Sequence, residues 1–201
     1  MQPYEIFLSP AQLYIAQEGE PAPAIDAVPA GNWVLLGTAG NRNQGEAGVT
    51  LSHNQTMVFH STVGEIGDVK GFRTHEEDLV EVVMEDMSIE VYAKSLNMAG
   101  IREVAAASQV AGYKSMGGKM GFDVQTWALL VRVPVSSYGD GLNSQWLYPK
   151  VVDFGNKKIV LDAKGTAVGL DFKFKALADP NAASEAERFF IFSEQTAMAL
   201  P

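Results

Sequence analysis

Between Gly48 and Met84 the side chains alternate with a period of two, which commits this chain to strands with one face turned towards a core. Val49, Leu51, Met57 and Phe59 fall on one side of an extended segment, and Thr50, Ser52, Asn54 and Thr56 on the other. A glycine-punctuated loop, Ser61 to Glu77, separates it from a second strand, Asp78 to Met84, in which Val80, Val82 and Met84 share a face. The period then changes. Asp86 or Ser88 can cap a helix over residues 87–97, with Ile89, Tyr92, Ala93 and Leu96 on one side at helical spacing. Glu90 and Lys94 stand four apart on its surface, and Asn97 and Gly100 supply a stop.

Period two dominates elsewhere. Gln2 to Ala16 reads as one or two short strands broken at Pro10, and Trp33 to Gly37 as another. Between them, Gly19 to Gly31 is a Pro/Ala-rich connector whose prolines lack the amide hydrogens of a sheet interior. Gly40 to Gly48 reads as a polar surface loop, and Gly100 to Ala111 as a weak helix or a loop. Gly112 to Phe122 is glycine-rich and suits a bent or bulged strand. Trp127 to Val135 alternates over a long strand, and Pro134 implies an edge or a strand end. Residues 156–162 and 166–176 suggest a hairpin with Val168, Leu170, Phe172 and Phe174 on one face. Arg188 to Phe192 carries aromatics on both faces and reads as doubly buried. The count favours an antiparallel sandwich or barrel of two packed sheets with one flanking helix, in a single domain over residues 1–201.

A chain of 201 residues can bury a sizeable core without a covalent staple. It has no cysteine, which rules out a disulfide framework, a thiolate zinc site and a cysteine nucleophile, and fits assembly in a reducing cytoplasm. The N-terminus has no basic region followed by a continuous apolar run, so a secretory leader is not expected. The net charge is −9 and the Lys and Arg residues are dispersed, which argues against an affinity for phosphate backbones.

Motifs for chemistry are scarce. Gly117-Gly118-Lys119 evokes a phosphate loop, but Tyr113 and Met120 occupy the positions that need glycine and a hydroxyl. His53 and His60 are an odd seven apart and point to opposite faces of a regular strand; His53 reads as a hydrogen-bonded, partly buried imidazole. His75 precedes Glu76, Glu77 and Asp78, a run that reads as a solvated face. Glu81 and Glu85, four apart on one strand, lie about 13 Å apart by strand rise, too wide for a glycosidase pair. Neither a catalytic set nor a metal or cofactor site is expected.

The order strand, loop, strand, helix in GVTLSHNQTMVFHSTVGEIGDVKGFRTHEEDLVEVVMEDMSIEVYAKSLN resembles that of the tail tube (major tail) proteins of long-tailed bacteriophages. The likeness continues through ALLVRVPVSSYGDGLNSQWLYPKVVDFGNKKIVLDAKGTAVGLDFKFKALAD, so it spans roughly residues 48–180. It implies a structural virion protein, made in the host cytoplasm. Six copies would close into a ring by continuing a sheet from subunit to subunit, and rings would stack into a tube that conducts DNA during ejection. The negative balance would then repel passing DNA, with Glu81 and Glu85 as candidate lumen-facing acids. Inter-subunit and inter-ring contacts would come from two loops, through Arg42, Asn43 and Glu46 in one and Glu65, Asp68 and Lys70 in the other, and from the termini. A tape-measure protein, a tail terminator and distal tail proteins would be the partners. A ligand- or carbohydrate-binding β-sandwich accounts for the same strands, and an enzyme on a β-scaffold is the third reading.

Overall fold

The computed structural model describes residues 10–64, 66–118, 121–159 and 169–199. The strands are β1 (Gln12–Gln17), β2 (Val34–Leu35), β3 (Gln44–His60), β4 (Lys70–Met84), β5 (Arg102–Val104), β6 (Tyr113–Ser115), β7 (Trp127–Ser136), β8 (Gly139–Asp153), β9 (Leu170–Ala176) and β10 (Ile191–Glu194). One α-helix, α1 (Ile89–Ser95), follows β4. The protein is mainly β and antiparallel, with neighbours in the order β2-β1-β7-β8-β9-β4-β3 and β10 added to β8; β5 and β6 pair separately.

Strand β8 is the fold's corner. One of its edges pairs with β7 from Gly139 to Val151; along the other, Ser144–Leu147 pair with β10 and only Val151–Asp153 reach β9. The ladder therefore turns there and lays β9, β4 and β3 over β1, β7 and β8. Leu13 and Ile15 of β1, Leu129 and Val131 of β7, and Tyr148 and Val151 of β8 meet Val80, Val82 and Met84 of β4 and Leu170, Phe172 and Phe174 of β9. Phe172 and Phe174 stack with centroids 5.3 Å apart and are fully buried, each worth about 1.5–3 kcal/mol of apolar transfer.

The opposite face of β1, β7 and β8 is also dry. Tyr14, Ala16, Ala128, Leu130 and Leu147 form a second cluster closed by Trp33. The Pro/Ala-rich connector crosses this face as a strap, and polar side chains of the sheet satisfy its carbonyls. Arg132 donates to the carbonyls of Ala24 and Ala27, Asn143 Nδ2 to that of Ile25 at 2.8 Å, and Trp33 Nε1 to that of Pro21 at 3.0 Å. The strap explains why β7 is buried on both faces and why Pro134 sits near its end, beyond the covered stretch.

Several expectations are corrected. Gly40 to Gly48 is not a loop: Gly40–Asn43 is a single 3-10 turn and β3 begins at Gln44. Nor is Ser61 to Glu77, because β4 starts at Lys70 and leaves residues 61–69 as the connection. The helix is shorter than 87–97. Ser88 caps it, its side chain accepting from Val91 N, and Val91, Ala93 and Ser95 are the buried positions, with Ile89, Tyr92 and Leu96 half-buried. The close ion pair of Glu90 is with Lys114 of β6, at 2.7 Å; Lys94, half-buried along the helix, attracts Glu90 only at longer range. Of the segment expected as a weak helix or a loop, Gly100 to Ala111, residues 102–104 form a short strand and the rest is mainly loop. Of the hairpin expected across 156–176, β9 is present and pairs with β4 and β8, while residues 160–168, with its turn, lie outside the described ones, as do the strand expected over residues 2–9 and part of 112–122. Phe192 is half-exposed, so the C-terminal strand is not doubly buried; it stacks on Trp146 at 4.5 Å.

Candidate assembly interface

Strands β3 and β4 form a long hairpin, of 17 and 15 residues, whose outer half leaves the core. At about 3.4 Å per residue the 17 residues of β3 span roughly 55 Å. The inner half, up to Ser52, lies over the core. From His53 to His60, and from Lys70 to His75 on the return, every residue is exposed. The outer half is thus a two-stranded arm projecting about 25 Å from the body.

Each face of the arm carries exposed apolar side chains. Met57 and Phe59 lie on one, folded over the backbone at Gly71, where an added Cβ would stand 3.1 Å from each side chain. Val58 and Phe72 face each other across the ladder on the other, with Lys70 Nζ 4.9 Å from the centre of the Phe72 ring. Val63, Ile66 and Val69 continue the apolar surface around the tip. A solvated hairpin of two strands is marginal in water, and clustered exposed Phe, Met, Val and Ile mark contact surfaces. The order Met57-Val58-Phe59 carries this signal in the sequence, since three successive apolar residues on a strand supply both faces.

The edge of the sheet points to the same place. β3 ends the strand order, so its second edge has no partner strand among the described residues, whereas the opposite edge is the two-residue β2. A long uncovered edge is a template for pairing with another chain. Charged contacts hold the arm at its root. Arg73 binds Glu76 at 2.6 Å, His53 Nδ1 lies 2.8 Å from Asp78 Oδ1, and Lys175 of β9 binds Glu77 at 2.6 Å. Lys175 lowers the Glu77 carboxyl below its ordinary value. The run His75 to Asp78 alternates between faces, with Glu76 and Asp78 towards His53 and His75 towards Glu77 at 3.7 Å.

The site residues expected from sequence do not form one surface. Arg42 and Glu46 are exposed at the body end of the hairpin, while Asp68 and Lys70 are at the tip, and Glu65 lies outside the described residues. Asn43 is engaged internally: its Oδ1 accepts from Ala39 N and its carbonyl from Glu85 N. Glu81 is on the outer face of β4, but its carboxylate meets Lys173 Nζ at 2.9 Å and so is not a free anion. Glu85 is exposed yet lies beyond the end of β4, so the two acids do not share a strand face as expected. Among the described residues no three His, Asp or Glu side chains are grouped closely enough to hold a metal ion, and no helix is long and apolar enough to cross a membrane.

No protein-family model matches the sequence, and no curated protein matches it.

Proposed function

We propose that this protein is a self-assembling structural subunit of a phage tail tube, in which copies join through the β3–β4 arm and the open β3 edge. The observation that carries the reading is the arm: an ordered hairpin with Met57 and Phe59 on one face, Val58 and Phe72 on the other, and no covering element among the described residues. A second copy of the same chain offers what the arm lacks, namely a β3 edge to extend and apolar surface to cover both faces. Six copies in a closed ring leave no such edge open, and stacked rings make a tube. The net charge of −9 suits a conduit that passes DNA without holding it, although that role does not rest on Glu81, which Lys173 neutralises. Tape-measure, terminator and distal tail proteins are the partners this reading implies.

Electron microscopy of the purified chain tests it. Rings or hollow rods are the expected result; single small particles at every concentration would overturn the proposal.

A further inference from the structure

Helix α1 carries a lysine whose charge is withdrawn from water without a partner. Lys94 stands in its last turn between Ala93 and Ser95, which are buried, and is itself half-buried. The carboxylate one turn before it, Glu90, is held by Lys114 of β6 at 2.7 Å and so attracts Lys94 only at longer range. Lys94 Nζ makes no hydrogen bond or ion pair among the described residues. Yet it is not sealed, because the sealed side-chain atoms that lack a partner are Asp78 Oδ2, Trp127 Nε1 and Arg132 Nε. The ammonium has lost part of its hydration and gained no contact in exchange, while its nitrogen stays open to solvent.

The other described lysines are placed differently. Lys150, Lys157, Lys173 and Lys175 hold Glu18, Asp153, Glu81 and Glu77 within 2.9 Å, as Lys114 holds Glu90. Lys70 and Lys158 are exposed. The hydrogen bonds that Lys114 and Lys173 donate to Glu90 and Glu81 raise these two amines above the ordinary lysine value. Burial moves Lys94 the opposite way. A lysine is a nucleophile when its nitrogen is neutral and reachable, and partial desolvation favours the neutral form.

We infer that Lys94 is the chain's preferred site of Nε-acylation by activated acyl donors of the acyl phosphate class. The Nζ lone pair attacks the acyl carbonyl carbon and the N–C bond forms. The C–O bond to phosphate breaks, phosphate leaves with the electron pair, and Nζ releases its proton to water. The product amide is uncharged, so the cost of holding an unpaired ammonium half out of water disappears. Acylation of Lys157 would instead strand the buried Asp153 carboxylate. The inference does not rest on the assembly reading.

Brief exposure of the full chain to acetyl phosphate at about pH 8, followed by peptide mass spectrometry, gives an initial acetylation rate for each lysine. Lys94 should react faster than the exposed Lys158 by about threefold or more. The difference should vanish in guanidinium chloride, where both side chains are solvated alike, and should shrink as pH approaches the ordinary lysine value of 10.5. A smaller preference, one that survives unfolding, or one that does not change with pH would overturn the inference.

Discussion

Lys157 Nζ stands 2.5 Å from Asp153 Oδ2, and the two side chains are 7% and 0% exposed. The pair fastens the segment leaving β8 to the sheet. Lys157 also donates to the Asp171 carbonyl and lies 4.9 Å over the Phe172 ring, and Asn97 Nδ2 donates to the Asp153 carbonyl at 2.6 Å. Removing one partner strands the other charge in the interior. K157M should therefore cost about 3–5 kcal/mol in urea unfolding, whereas D153N/K157M should recover most of that loss, because the methionine can still cover Phe172. Equal destabilisation of the single and double variants would show that the charges do not act as a pair.

Arg132 serves the strap in the same way that Lys157 serves the β8 exit. It is 5% exposed, and it donates hydrogen bonds to two strap carbonyls and to Gln145 Oε1. R132M should destabilise the fold by about 2–4 kcal/mol and make residues 20–32 the first point of proteolysis. An unchanged cleavage pattern would indicate that Asn143 and Trp33 retain the strap without Arg132.

Two surface ion pairs set an acid dependence. Glu18 is lowered from its ordinary value by hydrogen bonds from Lys150 and Thr126, and Glu77 by that from Lys175. Carboxylates held low stabilise the fold fully above the unfolded value of 4.5, and this contribution is lost as pH falls through their lowered values. Asp153 runs the other way: burial raises it, so its contribution is present at low pH and is lost as pH rises through the raised value. Comparing the natural chain with E18Q/E77Q subtracts Asp153. The gap in unfolding midpoint between them should be widest near neutrality and close below pH 4.5; a gap that persists in acid would contradict the assignment.

Where burial is one-sided, the sequence was readable. Val80, Val82 and Met84 alternate with Glu81 and Val83, and Leu170, Phe172 and Phe174 alternate with Asp171, Lys173 and Lys175, because one face meets the core and the other meets water. Ser88 announced the helix start by its capping chemistry. The return strand of the arm was hidden because neither of its faces is buried within the chain, so Arg73, His75 and Glu76 look like a loop although they are laddered to β3. The position of the strap was hidden for a different reason. Its prolines say only that it cannot join a sheet, and its place depends on Arg132 and Asn143, more than a hundred residues away. The contact of His53 with Asp78 likewise arises from strand register, which spacing along the chain does not express.

The central claim is that the arm joins copies and contributes little to the fold of any one of them. Sedimentation velocity of the natural chain beside M57S/F59S/F72S tests it most directly, with urea unfolding as the control. The natural chain should sediment as rings or larger species and the variant as a monomer, with stability altered by no more than about 0.5 kcal/mol. A natural chain that stays monomeric at every concentration, or a variant that assembles as well as it does, would contradict the account.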